Sequence, residues 1–207
     1  MKCISYFLII VVCFSCVESP KTISSNPEPS TESSRQFVPE PDVLLRLRGQ
    51  FNMIENAAVS KKLISAEYYT VGSSSELLKM DKWPEEYSTI YTIHKDSLNN
   101  VLLVEESPFS ESGDWEIFYQ HYFDKHGKIF AFKRQTNFFN SICNDESTHE
   151  TIVEYFDSDF VKVGRSYHLV DELGNELKIE DCVLNYDFEH PIFKNREDLL
   201  NHINSDL

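Results

Sequence analysis

Between Tyr87 and Val170 the chain has no segment that reads as a crossover helix. Parallel pairing of consecutive strands needs a connection of a dozen or more residues, so this stretch is confined to antiparallel pairing. Its apolar residues repeat at period two, which is the strand signature. The expected strands are Tyr87 to His94, Val101 to Glu105, Trp115 to Phe123, Lys128 to Phe138, Glu150 to Phe156 and Phe160 to Val170. A last one follows at Glu176 to Asp187, and Lys62 to Thr70 supplies a first. Asp124-Lys125-His126-Gly127 has the chemistry of a type I turn with glycine at the left-handed position. It makes the central pair a hairpin. Asp157-Ser158-Asp159 and Gly174-Asn175 turn the chain again.

Helices are expected at the ends. Leu44, Leu47, Phe51, Ile54 and Ala58 step by three and four, one face of a helix capped by Asp42. Ser73-Ser74-Ser75-Glu76 resembles a capping box and predicts a short helix through Leu77, Leu78 and Met80. Asn195 caps a closing helix with Glu197 and Asp198 in its first turn and Leu199, Leu200 and Ile203 on its inner face. The class is α+β: an N-terminal helix packed on a large, mainly antiparallel meander sheet, curved or an open barrel, then a short C-terminal helix.

The central hairpin is apolar on both faces. One face carries Trp115, Ile117, Tyr119, His121 and Phe123, and the other Phe118 and Tyr122. The returning strand adds Phe130 and Phe132 on one side, Ile129 and Ala131 on the other. A sheet with one wet face alternates more cleanly, so both faces need cover. The protein's own helix and curled strands can supply it. So can an apolar ligand held by Trp115, Tyr119, Phe123, Phe130 and Phe132, or a partner on an exposed patch.

The start of the chain has a different character. Lys2 is a short positive region, and Ile4 to Val12 is an apolar run too short to span a bilayer. Cys13-Phe14-Ser15-Cys16 follows. It resembles the lipobox of bacterial lipoproteins, with Ser15 at the small position, although Cys13 stands where that family usually has an aliphatic residue. The resemblance implies that Cys16 becomes the acylated N-terminus, anchored in a membrane of the bacterial cell envelope. Cys13 and Ser15 also satisfy the small-x-small rule of ordinary signal peptidase, so both readings cut before Cys16 and differ only in whether its thiol carries lipid. Val17 to Arg35 holds three prolines, six serines and no aromatic residue, a composition that cannot offset its ordering entropy. The expected organisation is a signal peptide over 1–15, a disordered tether over 16–36 and one domain over 37–207.

Charge narrows the partners. The chain has 34 acidic against 19 basic residues, and loss of Lys2 with the leader brings the net charge from −15 to −16. That argues against nucleic acid and against anionic lipid heads, and it permits a basic protein partner. Cys143 and Cys182 remain in the domain. An exported chain suggests a disulfide between them, with buried free thiols or a redox pair as alternatives.

Little equips the chain for chemistry. Its glycines form no phosphate-binding cluster. Asp145, Glu146, His149 and Glu150 are the nearest approach to a hard-cation site, without the spacing of a known loop, so no metal or cofactor is expected. Ser107, Ser110 and Ser112 lack a nucleophile elbow. Glu105 and Glu106 are adjacent on a strand and point to opposite faces. The expectation is a non-enzymatic envelope lipoprotein that binds or scaffolds. The alternatives are a carrier of an apolar small molecule, or an acidic inhibitor or immunity protein for a basic enzyme.

Overall fold

The structure is a computed structural model that describes residues 42–72, 76–139, 143, 147–184 and 188–204. The leader, Cys16 and the tether lie outside the described residues, as do Asp145 and Glu146. The described residues all belong to one compact unit, Pro39–Leu207.

Helix α1 (Val43–Val59) begins where its cap predicts, the Asp42 carboxylate accepting the Leu45 N–H at 3.3 Å. Eight strands follow: β1 (Ile64–Thr70), β2 (Leu78–Lys79), β3 (Thr89–Lys95), β4 (Val101–Pro108), β5 (Trp115–Phe123), β6 (Ile129–Phe138), β7 (Thr148–Phe156) and β8 (Lys162–Asp171). A 3-10 turn (Ile179–Asp181) and helix α2 (Arg196–Asn204) complete the order. All strands join one antiparallel sheet in the order β2-β1-β3-β4-β5-β6-β7-β8, open at both edges. The fold is α+β, a meander from β3 to β8 that does not close into a barrel.

Four turns share one construction. Asp96, Asp124, Asp157 and Asp171 each accept, through Oδ1, the N–H groups two and four residues ahead. The third residue after each Asp is left-handed: Asn99 at φ 66°, Gly127 at 78°, Phe160 at 64° and Gly174 at 83°. The Asp side chain imitates a turn carbonyl, and the left-handed residue returns the chain with the twist of the strands. Phe160 is the costly member, since an L side chain pays about 1–2 kcal/mol there. Its ring stacks on Phe156 at 4.9 Å, which offsets the strain.

Two elements differ from expectation. Leu78 and Lys79 form a strand paired with Tyr69 and Tyr68, not a helix. Pro84 leaves too few residues for a helical nucleus, and the open side of β1 offers hydrogen bonds at once. Of the strand expected at Glu176 to Asp187, Glu176 makes an isolated bridge to Val170, with the Leu177 N–H donating to the Leu169 carbonyl. The chain then leaves the sheet through the 3-10 turn, which delivers Cys182 to Cys143. These two are joined in a disulfide 39 residues apart.

The sheet has two covered faces. On the first, Leu47, Phe51 and Ile54 of α1 pack on Leu103, Tyr122, Phe130, Ala131, Val153 and Tyr155. Gly164 lets α1 approach β8 closely, since a Cβ there would stand 2.5 Å from Leu44. On the second, the segment 188–193 and the α2 residues Leu199 and Ile203 cover Ile117, Tyr119, Phe123, Ile129 and Phe132. Helix α2 is fixed to the β5–β6 turn. The Arg196 N–H donates to the Gly127 carbonyl, and Asn195 Oδ1 accepts the Asp198 N–H at 2.8 Å.

Candidate functional site

The register of the central hairpin redistributes the five aromatics singled out above. Tyr122 pairs with Ala131, but Phe123 pairs with Ile129, so Phe130 is the extra residue of a β-bulge. The bulge turns Phe130 toward α1 with Ala131, and Ile129 joins Phe132 on the second face. Phe130 is thereby separated from Trp115, Tyr119, Phe123 and Phe132, against the strict alternation assumed from sequence. Those four meet the protein's own side chains: Trp115 lies 5.0 Å from Phe188, Tyr119 stacks on His190 at 3.8 Å, and Phe123 is wholly buried.

The open space on this face lies beside them and is polar. A cleft of about 890 Å³ is floored by Phe132 and Arg134 of β6, Ile152 and Glu154 of β7, and Arg165 of β8. Phe188, Glu189, His190 and Pro191 form its wall. Cross-strand pairing sets the floor, with Arg134 opposite Ile152 and Glu154 opposite both Phe132 and Arg165. Phe132 alone of the five aromatics lines this cleft. Arg134, Glu154 and Arg165 are not singled out from the sequence, where no local signal distinguishes them.

The guanidinium of Arg134 is the strut between floor and wall. It donates to the Phe188 carbonyl at 2.9 Å and to the buried Glu150 carboxylate at 2.6 Å. Its Nε is buried without a hydrogen-bond partner among the described residues. Glu150 also meets the Tyr167 hydroxyl, and burial together with that charge pushes Tyr167 up to about 12. Glu154 accepts Lys162 Nζ at 2.8 Å and lies 3.9 Å from Arg165 Nε. Two cations thus share one carboxylate. The Arg165 side chain is 54% exposed and makes no hydrogen bond among the described residues.

Behind the wall is a buried titratable group. His190 Nε2 stands 3.6 Å from Glu106 Oε2. Burial pushes Glu106 up to about 7, and burial followed by the charge of His202 pushes His190 down to about 4. His121 is 1% exposed. Burial, then His190, lowers it to about 3 against a hydrogen bond to the Pro191 carbonyl that favours its charged form. All three shifts act toward the neutral form, which a site shut off from water demands. Glu105, its neighbour in sequence, turns to the α1 face and accepts from Gln120 Nε2 at 2.5 Å.

Among the described residues, no three of His, Cys, Asp and Glu converge to hold a metal ion. Comparison of the chain with protein-family profiles, curated proteins and solved structures finds no significant match. Chemically, the cleft offers an apolar shelf, one half-exposed guanidinium with unused donors and a carboxylate on its wall. It is equipped to hold a polar or amphipathic ligand.

Proposed function

We propose that this chain is a non-enzymatic lipoprotein of the bacterial envelope, held to a membrane through Cys16 and presenting a binding module. The segment Ser15-Cys16 followed by a proline- and serine-rich tether carries this reading, because such a tether holds a folded domain off a bilayer. The cleft beside Arg165 is the place for the ligand. Close packing of Trp115, Tyr119, Phe123 and Phe132 against the 188–193 segment favours this polar cleft over an apolar carrier pocket. A basic protein partner would engage the acidic surface elsewhere, and its binding would weaken steeply with salt.

The test is fractionation after expression in a bacterial host. The chain is expected in the membrane fraction and its Cys16→Ser variant in the soluble one. Equal distribution of the two would remove the anchor and with it this reading.

An acid–base enzyme is the second reading, favoured by the Glu106–His190 pair behind a cleft wall. The flat stacking of His190 on Tyr119 supports a structural role for that ring. Turnover of any substrate that Glu106→Gln abolishes, with melting temperature not lowered, would replace the binding-module reading.

A further inference from the structure

The cleft opens beside an unpaired sheet edge. β8 ends the strand order, so among the described residues one side of its backbone has no neighbouring strand. Toward its end this side is taken, because the Leu169 carbonyl accepts from Leu177 and the Asp171 N–H donates to the Asn175 carbonyl. Backbone groups alternate along a strand, so Arg165 and Tyr167 point theirs outward too. None of these has a partner among the described residues. Both side chains project over the cleft face, opposite Glu154 and Ile152.

The charge of this edge is opposite to that of the molecule. Lys162 to His168 carries Lys162 and Arg165 and no acid, in a chain with a net charge of −15, and its His168 lies 3.7 Å from Glu176. Glu154 answers both cations with a single carboxylate that sits 3.9 Å from Arg165 Nε, so the guanidinium keeps unused donors at the cleft mouth, across from Glu189 on the wall. A second copy of the chain is a poor occupant. Lys162 and the bulge at the start of β8 guard that end against pairing with the long edge of another sheet, leaving only the short Arg165–Tyr167 stretch open.

We propose that the free edge at Arg165–Tyr167 takes an extended, carboxylate-bearing peptide as an added strand, with one acidic side chain on Arg165 and its neighbours over the cleft. The added backbone lies about 4.8 Å beyond β8, within reach of the cleft for a side chain of ordinary length. Main-chain pairing gives the peptide its grip and the guanidinium its preference. This rests on the binding-module reading and names the ligand class for its cleft.

The probe is a fluorescein-labelled ten-residue peptide of alternating Thr and Glu, followed by anisotropy with the full chain. A copy with Lys for Glu and a copy N-methylated at alternate amides serve as controls. The acidic peptide is expected to bind saturably and to weaken with salt. Arg165→Glu should cost about tenfold or more and Arg165→Gln somewhat less, the loss of a charge-assisted hydrogen bond. Both control peptides should fail. Absent binding, or equal binding to the N-methylated copy or to Arg165→Glu, overturns the proposal. So does a dimer in sedimentation that Arg165→Glu dissolves, which would assign the edge to a second copy. Because no membrane is involved, failure here leaves the Cys16 test untouched.

Discussion

The two faces of the sheet are sealed by different means. The first is closed by a regular 17-residue helix, and its polar groups are locally matched. Lys133 meets Glu55 at 3.0 Å, and the Tyr122 hydroxyl donates to the same carboxylate. The second is closed by an irregular segment and a nine-residue helix, and it encloses His121, His190 and Glu106 with fewer partners. A helix satisfies its own backbone, so its apolar stripe can be dry. A segment without secondary structure must find partners for its backbone across the sheet, as the Phe188 carbonyl does on Arg134 and the Pro191 carbonyl on His121. The price of irregular cover is buried polarity, and the cleft opens where that cover ends.

The largest effect should come from the helical face. Phe51→Ala is expected to cost about 3–5 kcal/mol, and Leu199→Ala on the other face about 2–5 kcal/mol, both read by urea unfolding. If Leu199→Ala were silent, α2 would not be the seal of its face.

Reduction of Cys143–Cys182 comes next. A loop of this length predicts a loss of about 4 kcal/mol in the chain-entropy model. An unchanged urea midpoint in reductant would mean that the unfolded chain is not constrained by this link.

The faces should also respond differently to pH. His121 and His190, lowered to about 3 and about 4, refuse protons that the unfolded chain binds below 6.5, so they remove stability as pH falls. Glu106, raised to about 7, holds a proton that the unfolded chain releases above 4.5, so it removes stability as pH rises through that window. Between pH 4.5 and 6.5 the unfolded chain therefore binds one proton more, two less one. Stability should fall with acid by about 1.4 kcal/mol per pH unit from this group. Glu106→Gln should about double that slope and His121→Gln should flatten it. Identical slopes in both variants would show that the group is not buried as described.

The smallest effect is expected at the turn that carries α2. Gly127→Ala forces a methyl group into a left-handed residue and should cost about 1 kcal/mol by thermal melting, mostly through backbone strain. A loss several times larger would mean that Arg196 packs there more tightly than its 3.4 Å approach implies.

The first face was largely legible in the sequence and the second was not. Leu47, Phe51 and Ile54 announce a helix by spacing, and Asp124 with Gly127 announces a hairpin by turn chemistry. The order and antiparallel sense of β3 to β8 followed from connection length. Phe188, His190, Ile192 and Phe193 have no period to read, because no repeating backbone dictates which way they point. The bulge at Phe130 left no local mark either, and one extra residue is enough to move a ring to the other face. Arg134, Glu154 and Arg165 are far apart in sequence and adjacent only across strands, so the cleft is a product of register.

The role of the chain depends on how it is presented, and the intact mass of the mature protein from a bacterial host addresses that most directly. The expected mass is that of residues 16–207 carrying acyl groups, two hydrogens lighter than the reduced form. A mature chain without acyl groups would contradict it and make this a free secreted protein.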